Sequence, residues 1–224
     1  MSTSLSFSIF GGASFPMGDF ASTSSGLAET GYAGGIQFVT GGQVGLLVSA
    51  LYAANSVDVS DIQGGNSTAN WQNIMALLGL KIGTANASGA NFFVAPLIGI
   101  DFAKSPTISS PASDNPYIST VYDGYTFYGY IPVSGQKTLN SASATALTYG
   151  AMMEIELGHV TLGARYLICK PHFNVSMTGT LTGSSQLYNP SYGYATFTDT
   201  ETINESLTMD QSTSIIIAYL GIAF

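Results

Sequence analysis

The sequence predicts an all-β chain, a closed antiparallel eight-stranded up-and-down transmembrane β-barrel with short turns at one end and long loops at the other. Three observations predict it. Of the 224 residues only 8% are charged while 46% are hydrophobic, and an ordinary soluble domain carries about 25% charge. No stretch supplies the roughly 20 apolar residues of a spanning helix, the best run, Val44 to Ala54, being too short. The segment 212–224 alternates with no charge on either side: Ile216, Ala218, Leu220, Ile222 and Phe224 share one face, and Thr213, Ile215, Ile217, Tyr219, Gly221 and Ala223 the other. Such a strand aggregates in water. It is accounted for when one face meets hydrocarbon, the other lines a closed lumen, and all backbone groups are paired.

Seven further segments carry the same period of two. Taken in order, with the positions that parity sends outward, they are about 4–14 (Leu5, Phe7, Ile9), 29–39 (Tyr32, Ile36, Phe38), 43–54 (Val44, Leu46, Val48, Tyr52) and 71–83 (Ile74, Leu78, Leu80, Ile82). They continue at about 91–103 (Phe92, Val94, Ile98, Ile100, Phe102), 142–157 (Leu147, Tyr149, Met153, Ile155) and 160–170 (Val160, Leu162, Tyr166, Ile168), before the terminal segment at about 211–224. These lengths suit tilted membrane-crossing strands. The outward set is free of charge.

The connections alternate in length. Thr40, Gly41 and Gly42 form one tight loop, Gly158 and His159 suit a two-residue II′ turn, and Thr84 to Asn91 is a short Ala/Asn/Gly/Ser-rich link. The connections at about 15–28, 55–70, 104–141 and 171–210 are long, and outside the strand cores every Asp, Glu and Lys falls in or bordering one of them. This rhythm, with an even strand number, predicts a single domain over 1–224 with long extracellular loops at 104–141 and 171–210. Met1, Ser2, Thr3 and Ser4 lead straight into a strand pattern without a basic n-region, which predicts a mature form with an added initiator methionine.

Two stretches are motif-like. Gly11 to Phe20, followed by Gly31, Tyr32, Ala33, Gly34 and Gly35, resembles the opening of small eight-stranded outer-membrane barrels of the OmpA/OmpX-like superfamily. Ala218 to Phe224 resembles their carboxy-terminal assembly signal. The resemblance implies a bacterial outer-membrane location, a lipid environment as partner, and the single-domain members, without a periplasmic peptidoglycan-binding domain.

Every strand-core charge falls on the lumen side: Lys81, Asp101, Glu154, Glu156 and Arg165. A charge on the lipid side at mid-bilayer costs about 2–4 kcal/mol for Lys or Arg, so the segregation is what a barrel requires. With a turn at Gly158 and His159, Arg165 faces Met152 and is diagonal to Glu154, within reach of a long side chain. An ion-pair network filling the lumen is therefore expected, centred on Arg165 and Glu154; an ion path or a catalytic carboxylate pair is the competing reading. The remaining lumen positions, among them Leu47, Leu51, Leu77, Phe93, Leu97, Met152, Leu167, Ile215 and Ile217, are apolar. An eight-stranded interior is either filled by side chains or holds one small ligand.

The loops hold the other chemistry. Tyr117, Tyr122, Tyr125, Phe127, Tyr128 and Tyr130 surround an Asp123-Gly124 turn signal and make a candidate binding surface, since Tyr with Ser, Gly and Asn offers large contact area at low entropic cost. Residues 172–210 alternate similarly, with a turn expected over 178–185. A net charge of −8 argues against nucleic acid. Cys169 is single and reads as a small buried filler. His159 and His172 lie at opposite ends of one strand, and no GxSxG, HExxH or phosphate-cradling motif is present, so no catalytic residue, metal or cofactor is expected. The sequence thus predicts a non-enzymatic surface scaffold for adhesion, partner binding or self-assembly through the loops. Its alternatives are a barrel binding or passing an apolar small molecule through the lumen and a soluble lipocalin-like barrel, which the uncharged outer face opposes.

Overall fold

In the computed structural model, residues 5–40, 42–84 and 90–224 are described. Gly41 and most of the Thr84 to Asn91 link lie outside them. The strands, in chain order, are β1 (Leu5–Met17), β2 (Ala28–Thr40), β3 (Val44–Val57), β4 (Asn66–Ser67), β5 (Trp71–Thr84), β6 (Ala90–Lys104), β7 (Ile108–Asp114), β8 (Tyr117–Tyr122), β9 (Tyr125–Tyr130), β10 (Val133–Leu139), β11 (Ser143–Leu157), β12 (Val160–Cys169), β13 (His172–Asn189), β14 (Gly193–Asp210) and β15 (Thr213–Ala223).

Eight of them close a barrel in the order β1, β15, β12, β11, β6, β5, β3, β2. Closure is antiparallel throughout: Ile9 of β1 pairs with Ile222 on one side and Ile36 on the other. The predicted register between β11 and β12 is observed, with Leu157 opposite Val160 and Met152 opposite Arg165; the turn between them has Gly158 at φ 62°, the left-handed first position of a II′ turn. Parity is also as expected. Leu5, Leu46, Leu78, Ile98, Leu147 and Leu220 stand outward and exposed, while Leu47, Leu77, Phe93, Leu167, Ile215 and Ile217 fill the lumen. An exposed belt this apolar, on a barrel that leaves no edge, is solvated by lipid and not by water.

The long connections are not loops in the irregular sense. They build a second sheet above the barrel, ordered β4, β7, β10, β13, β9, β8, with β14 paired to β13. β13 and β14 pair continuously from His172 opposite Asp210 to Asn189 opposite Gly193. At about 3.3 Å per residue the hairpin is roughly 60 Å long. The turn expected over 178–185 is displaced: those residues are mid-strand, and the chain reverses at Pro190, Ser191 and Tyr192. Gly179 and Gly183 lie where the backbone of the strand alongside passes too close for a Cβ, so these glycines mark a close approach and not a turn. Asn189, whose side chain accepts from the Ser191 and Tyr192 amides, is the turn signal.

Candidate functional site

Two places gather the polar chemistry of this chain, the lumen and the second sheet. In the lumen the expected ion pair is replaced by a relay. Arg165 and Glu154 form no salt bridge. Arg165 donates through one terminal nitrogen to Gln37 Oε1 (2.6 Å) and through the other to Ser49 Oγ (2.8 Å), and the Gln37 amide in turn donates to both Glu154 oxygens (2.9 and 2.8 Å). Tyr219 supplies a further donor, its hydroxyl reaching Glu154 Oε2 at 2.6 Å. The reason for the difference is steric. Glu154, Gly163 and Tyr219 stand in one cross-strand row, and the Tyr219 ring lies over Gly163 in the space a Cβ there would occupy, which is the space a direct diagonal contact needs. The guanidinium is stacked against Phe10 (4.3 Å to the ring centroid) and Tyr219 (5.0 Å).

The other charged members are separate. Lys81 lies over Phe93 at 4.8 Å. Asp101 accepts from the Asn73 amide (2.7 Å) and the buried Cys169 thiol (3.0 Å), and Glu156 from Asn91 (3.4 Å). Among the described residues, no pair of Lys81, Asp101, Glu154, Glu156 and Arg165 forms a salt bridge, so the expected ion-pair network is corrected to charges each held by neutral donors or rings. Gln37, Ser49, Asn73 and Tyr219, which complete these contacts, had lumen parity in the sequence but no feature naming them as partners. Toward the long-loop end, Phe20 meets Trp71 edge to face (centroids 5.4 Å apart) and Phe173 lies tilted against Trp71 (5.8 Å), and the Trp71 indole donates to Gly26 O (2.7 Å). The lumen is thus filled by side chains.

The second sheet sorts its residues by face. One face carries the buried cluster Phe127, Ile131, Val133, Leu181 and Leu187. The register places Asp114, Lys137, Asp199, Glu201 and Glu205 on this same packed face. The opposite, open face is uncharged from the tip down to the His172–Asp210 pair at its base, which are joined by a side-chain contact. It presents cross-strand rows: Tyr194, Tyr188, Tyr128 and Ser119; Thr200, Thr182, Ser134 and Ser113; Thr202, Thr180, Gln136 and Pro111; Asn204, Thr178, Thr138 and Ser109. Neighbouring strands are about 4.8 Å apart, so hydroxyls and rings form a regular two-dimensional array.

The six aromatics predicted as one surface are divided by this sheet. Asp123 (φ 51°) and Gly124 (φ 81°) form the hairpin turn the sequence announced. Tyr117, Tyr128 and Tyr130 stand on the open face, each more than half exposed, and Tyr117 packs on Tyr130 at 5.0 Å. Tyr122, Tyr125 and Phe127 point to the packed face. Phe127 is fully buried against Tyr192 and Phe197, so it belongs to the core of the tip and not to a binding surface. Tyr188 and Tyr194, with rings 5.1 Å apart, extend the open surface. Their parity was readable in the sequence, but the misplaced turn hid that they are paired.

No family model matches the chain, and no curated protein matches it. Among solved structures, the chain is similar to Ail, the attachment invasion locus protein of Yersinia pestis, at 14% identity and a TM-score of 0.47, covering 98% of this chain and 97% of that one. It is similar to a major outer membrane protein from Thermus thermophilus at 13% identity and a TM-score of 0.46, with 99% of each chain covered. A third, LpxR from Salmonella typhimurium, has 9% identity and a TM-score of 0.24 over 97% of this chain and 99% of that one. The fold rests on the chain's own register and belt, which are those of bacterial outer-membrane barrels.

Proposed function

We propose that this outer-membrane barrel is a non-enzymatic surface scaffold, and that the open face of its second sheet is where it docks a partner for adhesion or assembly. The observation that carries this is the sorting of charge. In a chain of net charge −8, five charged residues of the sheet share the face of the buried cluster, Asp114 and Glu205 exposed and Lys137, Asp199 and Glu201 partly buried, and the open face above His172 and Asp210 has none. Solubility alone favours the reverse arrangement, with charge on the exposed face. A flat array of Tyr, Thr, Ser and Gln is suited instead to a partner surface that is itself neutral, with tyrosines giving rigid contact area and hydroxyls adaptable hydrogen bonds. The packed lumen supports the same reading, since it leaves the barrel as a support and not a passage.

The test is adherence of bacteria displaying the protein to one another and to protein-coated and glycan-coated surfaces. Changing Tyr128, Tyr188 and Tyr194 together to Ser should leave the barrel folded, seen as a faster-migrating unboiled band on SDS gels, and should abolish the adherence that the unchanged protein confers. Undiminished adherence would refute the assignment to this face.

A further inference from the structure

The packed face of the second sheet does not close fully on the barrel mouth. Between them is a cavity of about 240 Å3, with Trp71 as its floor and Leu139, Met177 and Met209 in its walls. Trp71, which lines the cavity, is itself packed against the buried rings of Phe20 and Phe173. The walls are apolar and no acid lines them. One cation does. Lys137, the only lysine or arginine on the sheet, is half-buried, makes no salt bridge among the described residues, and also lines the wider groove beside Ile62, Ser110 and Gln136. It therefore stands where a partly enclosed, mainly apolar space meets the wider groove.

The geometry points to a binding site for a small amphiphile with one anionic head, a medium-chain carboxylate, its chain in the cavity and its head on Lys137. Three features fix that class. A cavity of about 150 Å3 takes a benzene ring of six carbons, so 240 Å3 at the same density takes roughly eight to ten carbons. Met177 and Met209 are unbranched and adapt to a flexible chain. A half-buried lysine with no salt bridge among the described residues, in a wall that no acid lines, favours an anion, and a carboxylate also gains a charge-assisted hydrogen bond there. This site lies on the face opposite the proposed docking surface and stands or falls independently of it.

Trp71 is the single tryptophan of the chain, so its fluorescence reports on this cavity alone. The experiment uses the full chain in zwitterionic lipid nanodiscs, titrated with 8-bromooctanoate and with the uncharged 8-bromo-octanol. The acid should quench Trp71 saturably and be displaced by octanoate. Lys137→Gln should raise the half-quenching concentration of the acid about tenfold and leave that of the alcohol unchanged. Met209→Phe should abolish saturable quenching by both; if that variant loses its folded gel band, Leu139→Phe fills the cavity from the other wall and carries the same expectation. Quenching that rises linearly and equally in the filled variant is partitioning into lipid, and overturns the site. Equal weakening of acid and alcohol by Lys137→Gln overturns the anionic class.

Discussion

The Tyr219 hydroxyl donates to Glu154 Oε2 at 2.6 Å from two strands away, its ring crossing the bare backbone of Gly163. A buried carboxylate is thereby held by a phenol and by the Gln37 carboxamide, with Arg165 attached through that same carboxamide. Ring, glycine and carboxylate form one unit.

Tyr219→Phe removes one donor from a buried carboxylate and should lower stability by about 1–3 kcal/mol. In a Glu154→Gln background the same change should cost less, because the charge it served is gone. Urea unfolding of the protein in lipid vesicles, followed by gel mobility, measures both; additive losses would show that the two residues are not coupled.

Gly163→Val places a branched side chain where the Tyr219 ring lies. The ring must move, and overpacking of this kind costs typically about 1–3 kcal/mol. Adding Tyr219→Ala makes room, so the double variant should recover part of the loss in the same unfolding measurement.

Gln37→Leu should be more damaging than a surface change of equal size, since it leaves buried Arg165 with only Ser49 and buried Glu154 with only Tyr219 as hydrogen-bond partners. A loss of about 3–5 kcal/mol, or failure to assemble, is expected. A loss below about 1 kcal/mol would show that Arg165 and Glu154 find each other without the amide.

An epitope inserted between Ser191 and Tyr192 should be displayed on intact cells with the barrel still heat-modifiable, because the chain reverses there with few backbone pairs to break. The same insertion between Leu181 and Thr182 interrupts pairing with both β10 and β14 beside a buried leucine and should prevent display. Comparable display from both sites would place the turn elsewhere.

The barrel was legible because its signal is a period of two repeated over eight segments with charge excluded from one parity. Lipid enforces that pattern at every position of Leu46, Leu78 or Ile98 type. The β11–β12 register followed from Gly158 alone. The Arg165 relay was not legible, because parity assigns a residue to the lumen without saying which of the facing side chains it meets; Gln37 and Ser49 come from strands far away in sequence. The hairpin turn is not legible for a related reason: in a Thr- and Gly-rich strand, Gly179 and Gly183 imitate a turn, and only their tertiary neighbours reveal a close backbone approach.

Asp199 and Thr200 are adjacent on β14 and project to opposite faces, which makes them the most direct test of the proposed docking surface. Asp199→Asn and Thr200→Lys each change the net charge from −8 by +1, so global electrostatics move equally. Adherence of displaying bacteria, measured for both variants at equal surface density, should fall sharply for Thr200→Lys and stay unchanged for Asp199→Asn. Equal adherence of the two variants, whether both lost or both retained, would contradict the docking role of the open face.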